Sequence, residues 1–247
     1  MREDLNEARA VLDPPHANPA LDQMVLVGHS MGGLISRLQT LDSRDDFWHI
    51  LSDQPFNKLN AEADTRAKLQ EVLYFRPNPS IQRVITIGTP HRGSNFSNDT
   101  TQWLMSKLIS LPDKLTGGQE QLVRDNRGLF RDTRLLKITT SVDSLSPSSP
   151  VFPVMIAARR APWVHYHNIV GLVPERGIFG KLAAGSDGVV TRESAHMDDV
   201  ESELVVEADH STVHAHSMAV FEVRRILLEH IAQLRQLAGQ PRPAARK

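Results

Sequence analysis

The serine in Gly28-His29-Ser30-Met31-Gly32 stands in a spacing that suits nucleophilic chemistry. A free serine hydroxyl attacks poorly, so it needs a base within hydrogen-bond reach and an acid orienting that base. The pattern G-x-S-x-G alone is weak. With Gly and Ser each near ~7% of residues it arises by chance in about one chain in ten of this length. Its surroundings carry the signal. Met24-Val25-Leu26-Val27 runs straight into the motif, and Gly33-Leu34-Ile35 follows it. That is a short buried strand turning sharply into a helix, with Ser30 at the apex of a nucleophile elbow. Gly28 and Gly32 are expected where the two backbones pass too close for a Cβ.

The base must come from eleven histidines. In one recurrent order the serine is followed by the acid and then by the histidine, each in a loop just past a strand. His210 satisfies this, directly after the apolar run Leu204-Val205-Val206 and before a long helix; His214 and His216 are competitors a few residues later. His165 and His167 lie within a strand, His29 packs beside the sheet, and His91 precedes any plausible acid. For the acid, Asp187 sits between two strands in Gly-Ser-Asp-Gly, with Asp143 the runner-up inside an insertion. Asp198, Asp199 and Glu201 read as solvated charges, and Asp209 is too near His210 in sequence to partner it. The one oxyanion donor that can be named is the Met31 backbone N–H. A zinc site on His210, His214 and His216 is disfavoured, because Ser211 stands where a zinc hydrolase has its glutamate. No metal and no cofactor is expected.

The elements that must position these residues alternate. Residues 2–12 read as a helix stopped by Asp13-Pro14-Pro15, residues 24–28 as the elbow strand, and 31–41 as the helix behind it, with Leu34, Ile35, Leu38 and Leu41 on its buried stripe. An insertion follows at about 42–80, helical from about 61 to 74. Val84–Gly88 is a second strand, and a second insertion spans about 95–161. That insertion carries an apolar helix candidate at Trp103, Leu104, Leu108 and Leu111 and a Ser/Pro-rich loop at 144–150. Val164–Gly171 and Leu204–Val206 are further strands. The last helix runs from about Ser217 to Leu237, with Val220, Val223, Leu227, Ile231 and Leu234 on one face, before a basic tail at 239–247 expected to be disordered. Such alternation argues an α/β fold on a mostly parallel sheet with flanking helices.

Bulk properties narrow the function classes. Over 247 residues, 40% are hydrophobic and 23% charged, an ordinary globular balance. A net charge of -1 gives no electrostatic case for nucleic acid. Apolar runs are too short for a transmembrane segment. Cysteine is absent, which excludes disulfides and thiol chemistry without choosing a compartment. Met1 leads into charged residues, so no signal peptide is visible. Localisation and oligomeric state are left open.

Val-Gly-His-Ser-Met-Gly-Gly, Thr-Pro-His-Arg-Gly-Ser, Ser-Asp-Gly-Val-Val and Asp-His-Ser, in that order, resemble the serine lipases and esterases of the α/β-hydrolase superfamily, and within them the group of GPI inositol-deacylase-type enzymes. The four motifs span residues 24 to 211. The resemblance implies an α/β-hydrolase fold with Ser30 as nucleophile, Asp187 as acid and His210 as base. It implies that Thr89–Ser94 shapes the floor of the site, that the insertions at 42–80 and 95–161 form a cap or lid, and that the substrate is a small-molecule or lipid ester. It also exposes a departure. The family places several strands before the elbow strand, one of whose loops gives the second oxyanion donor; nothing ahead of Met24 reads as a strand, and the helix at 2–12 opens without a cap. The expectation is therefore an N-terminally incomplete domain over residues 1–238 whose elbow strand is an unpaired apolar edge. Loss of one oxyanion donor costs roughly 2.7–4 kcal/mol of transition-state stabilisation. An active serine esterase and an incompetent fragment that pairs through that edge are the two functional expectations.

Overall fold

Strand β1 (Met24–His29) is an apolar run of the kind that pairs on a parallel sheet, and among the described residues it lies at one end of a four-stranded sheet. Its neighbours in order are β3 (Ile81–Ile87), β5 (His165–Gly171) and β6 (Ser202–Val206), every pair parallel. The computed structural model describes residues 1–14, 18–94, 119–133, 147–174 and 185–238. The apolar helix candidate at 103–111, Asp143 and the tail at 239–247 lie outside the described residues. The mostly parallel sheet with flanking helices expected from the sequence is what the structure shows.

Successive side chains of a strand point to opposite faces, which divides the core in two. Val25, Ile85, Ile87, Ile169 and Val206 share one cluster with Ala219, Val223 and Ile226 of the long helix Ser217–Ala238. Met24, Leu26, Val84 and Tyr166 form another, to which Leu5 of α1 (Arg2–Leu12) contributes. The long helix departs from the expected stripe. Ala219, Ile226 and His230 are buried, whereas Val220, Leu227 and Ile231 are exposed. Val220 lines one pocket with Val27 and His29 of β1; Val27 is 50% exposed, and β1 pairs with β3 alone among the described strands.

Helix α2 (Met31–Leu38) is shorter than expected. The Thr40 hydroxyl donates to the Arg37 carbonyl at 2.7 Å and lies 2.5 Å from the Tyr166 hydroxyl. This back-bonding competes with helix continuation. Leu41 is buried as expected, but from β2 (Leu41–Asp42), which pairs antiparallel with β4 (Arg159–Arg160).

The helix expected within 61–74 is present as Ala63–Leu73. Residues of both insertions share one core with α2: Leu34, Trp48, Leu51, Leu59, Leu73, Phe152 and Met155 are all buried in it. Asn126 ties them further, accepting from the Asn60 N–H at 2.7 Å and donating to the Asn60 carbonyl at 2.7 Å. Glu201 is not simply a solvated charge. It lies 3.0 Å from the fully buried guanidinium of Arg83, which also donates to Gln233 at 2.6 Å, so it links β3 to β6 and the long helix. Asp198 and Asp199 are exposed, paired to Arg92 and Arg160.

Candidate active site

The turn from β1 into α2 holds Ser30 with φ 54° and ψ -126°, a left-handed conformation that a non-glycine residue adopts at a cost. Two contacts lock it there: the Ser30 N–H donates to the Ile87 carbonyl at 2.9 Å, and the Gly33 N–H to the Ser30 carbonyl at 3.0 Å. The glycine requirement differs from expectation. A Cβ on Gly28 would lie 2.4 Å from the Gly32 carbonyl oxygen, but one on Gly32 would meet open space. The second tight position is Gly33, where a Cβ would fall 2.0 Å from the Thr89 Oγ1. Strand and helix backbones approach closely at Gly28 as expected, and a further close approach, between α2 and the loop after β3, is one that sequence spacing could not reveal.

His210 reaches this turn from the loop after β6. Its Nε2 lies 2.9 Å from the Ser30 Oγ and its Nδ1 2.8 Å from the Asp187 Oδ2. A carboxylate only accepts, so Nδ1 carries the proton, and Nε2 is left to accept from the serine hydroxyl. Asp187 is 2% exposed and His210 3%. The other carboxylate oxygen of Asp187 accepts from the Val189 and Val190 N–H groups at 2.9 and 2.7 Å. The His210 N–H donates to the Asp187 carbonyl at 2.9 Å. Asp209 supports the same loop, its Oδ1 accepting from the Ser211 and Thr212 N–H groups at 2.9 and 3.0 Å. Met31 is the first residue of α2, where backbone N–H groups lack intrahelical acceptors.

The segment Thr89–Ser94 braces these parts. Thr89 fills the space under Gly33, and the Ser94 hydroxyl donates to the Val189 carbonyl beside the Asp187 turn. His91 is buried, and its Nδ1 accepts from the Arg37 guanidinium at 3.0 Å. Burial, and then the neighbouring Arg37, push the His91 imidazole well below its usual pKa, so it is neutral. Burial also lowers Arg37, to about 10. His29, read only as packing beside the sheet, also touches the site: its Nε2 lies 2.8 Å from the His210 carbonyl oxygen. His214 packs on the His29 ring at 4.9 Å between centroids, and the His216 Nδ1 accepts from the Met218 N–H, so the three later histidines do not converge. Among the described residues, no three His, Cys, Asp or Glu side chains are grouped to hold a metal ion. No helix among them is long and apolar enough to cross a membrane.

No family model matches this chain. No curated protein matches it. Among solved structures it is similar to the Bacillus licheniformis lipase BlEst2. Against the mature form the TM-score is 0.43 at 18% identity, covering 92% of this chain and 71% of that one. Against the propeptide form the TM-score is 0.41 at 18% identity, covering 90% of this chain and 38% of that one. The inositol-deacylase-type resemblance has no counterpart in these two matches.

Proposed function

We propose that this protein is a serine hydrolase of the α/β-hydrolase type acting on carboxylic esters, with Ser30 as nucleophile, His210 as general base and Asp187 as the acid that orients it. One observation carries the reading. Three side chains from separate loops form a continuous hydrogen-bonded line, Ser30 to His210 at 2.9 Å and His210 to Asp187 at 2.8 Å, with the base in the tautomer that can accept the serine proton.

The chemistry follows from that line. As the Ser30 oxygen bonds to the ester carbonyl carbon, its proton passes to the His210 Nε2. The Asp187 carboxylate, 2.8 Å behind, stabilises the imidazolium. The carbonyl oxygen becomes an oxyanion, and the Met31 N–H at the start of α2 is the donor proposed for it. His210 then returns its proton to the departing alcohol oxygen, leaving an acyl-enzyme. Water, deprotonated by the same imidazole, attacks that ester; the acyl–Oγ bond breaks, the imidazolium returns the proton to the Ser30 oxygen, and the acid leaves. The shared apolar core of the two insertions supports their reading as a cap above the sheet. Alanine at Ser30 is expected to abolish turnover of p-nitrophenyl esters; undiminished turnover in that variant refutes the reading.

A second reading has its own observation. β1 pairs with β3 alone among the described strands, and its Val27 is exposed and shares a pocket with the exposed Val220 of the long helix. An apolar edge of this kind is a template for a further strand. On that reading the chain is incompetent alone and binds a missing segment or a partner through the edge. A fluorophosphonate separates the two: stoichiometric labelling of Ser30 in the folded chain sinks the second reading, and no labelling sinks autonomous activity.

A further inference from the structure

His210 is held at more than its ring. Its N–H donates to the Asp187 carbonyl at 2.9 Å, and its own carbonyl lies 2.8 Å from the His29 Nε2. A carbonyl oxygen can only accept, so the proton of a neutral His29 must sit on Nε2. That is the opposite tautomer from His210, whose Nδ1–H faces Asp187. His29 is the last residue of β1 and immediately precedes Ser30, so its backbone is fixed by the sheet and by the nucleophile turn. Its ring packs 5.0 Å from that of His210 and 4.9 Å from that of His214.

We propose that His29 is a positioning residue: its Nε2–H clamps the His210 carbonyl and keeps the base imidazole in line between Ser30 and Asp187. The inference rests on the serine hydrolase reading. The clamp links the strand that delivers the nucleophile to the loop that delivers the base, so a shift of one is resisted by the other. Misplacing a reacting group by about 1 Å can cost on the order of 100-fold in rate, which is the scale available to a residue that never touches substrate. The titratable groups around His29 are His210, His214 and Asp187. Burial first, then the like charge of His210, hold the His29 imidazole below its usual pKa and so keep it neutral.

The test compares wild type with His29→Phe, which keeps the ring and loses the donor, and His29→Gln, whose side-chain amide restores one. Long-range nitrogen–proton correlation spectra of the imidazoles report each tautomer, and the fluorophosphonate labelling rate reports Ser30. In wild type, His29 is expected as the Nε2–H form and His210 as the Nδ1–H form. In His29→Phe the His210 Nδ1–H signal is expected to weaken and labelling to slow about 10- to 100-fold, with His29→Gln recovering most of it. A His29 found in the Nδ1–H form overturns the clamp, whatever the variants do. So does a His210 signal and labelling rate in His29→Phe equal to wild type, or a His29→Gln no better than His29→Phe. A wild type that is never labelled refutes the hydrolase reading instead, and the spectra still decide whether His29 fixes His210.

Discussion

Asp187→Asn changes one atom and should reverse the direction of the whole proton line. The Oδ1 of Asp187 accepts from the Val189 and Val190 N–H groups at 2.9 and 2.7 Å, so the amide oxygen of an asparagine must take that place. Its NH2 group then faces the His210 Nδ1 at the 2.8 Å position. An amide N–H can only donate, so Nδ1 must give up its proton and accept. The proton moves to Nε2, where it points at the Ser30 Oγ and removes the lone pair that the serine needs. The same exchange in serine triads costs about 10⁴ in kcat, equivalent to about 5 kcal/mol at 1.36 kcal/mol per tenfold. Stability should change by only about 1 kcal/mol, because the buried hydrogen bonds are exchanged rather than lost. Turnover of p-nitrophenyl acetate, normalised by folded protein, is the assay. A folded Asp187→Asn variant within tenfold of wild type refutes both the orientation deduced for His210 and the role proposed for Asp187.

The glycines of the turn offer a sharp contrast. Gly33→Ala would drive a methyl to 2.0 Å from Oγ1 of the fully buried Thr89. It should lose up to about 2 kcal/mol net, overpacking of about 1–3 kcal/mol being partly offset by about 1 kcal/mol of helix propensity. Gly32→Ala meets open space and should be neutral or stabilising by urea denaturation; the reverse ranking contradicts the packing. Acid should weaken the fold through His167. Burial, then Arg83, lower its pKa from 6.5 to about 4, so as pH falls through this window the unfolded chain takes the proton first and stability drops. The full effect approaches 3 kcal/mol below pH 4, at ~1.36 kcal/mol per unit. His91 shifts in the same direction and adds to it. Urea midpoints at pH 7 and 5 should fall more in wild type than in His167→Gln; equal falls exclude His167 as a source.

Much of the site was legible because its signals are local. An apolar run before a G-x-S-x-G turn dictates a strand entering a strained serine, and Asp187 between two strands and His210 after the last one follow from order alone. What escaped was everything set by contacts distant in sequence. Gly32 and Gly33 are equivalent on paper, and only the position of Thr89 against α2 decides which tolerates no side chain. Glu201 reads as a surface charge until β3 brings the buried Arg83 beside it. The stripe of the long helix was assigned by periodicity, which counts apolar residues but does not know where the sheet ends. Val220, Leu227 and Ile231 are exposed, and Val220 lines one pocket with Val27 of β1.

By itself the sequence determined the main strands of the parallel sheet, the helix after the turn and the long last helix, and it singled out the three residues proposed as nucleophile, base and acid. These depend on periodicity, turn chemistry and spacing along one chain. Only the tertiary structure decided that Ser30 and His210, 180 positions apart, lie 2.9 Å from each other, that the His210 Nδ1 faces Asp187, and that the His29 Nε2 lies 2.8 Å from the His210 carbonyl oxygen. Hydrogen bonds act over about 3 Å and carry no trace in sequence spacing. They are settled only when parallel strands bring their loops to the same edge of the sheet.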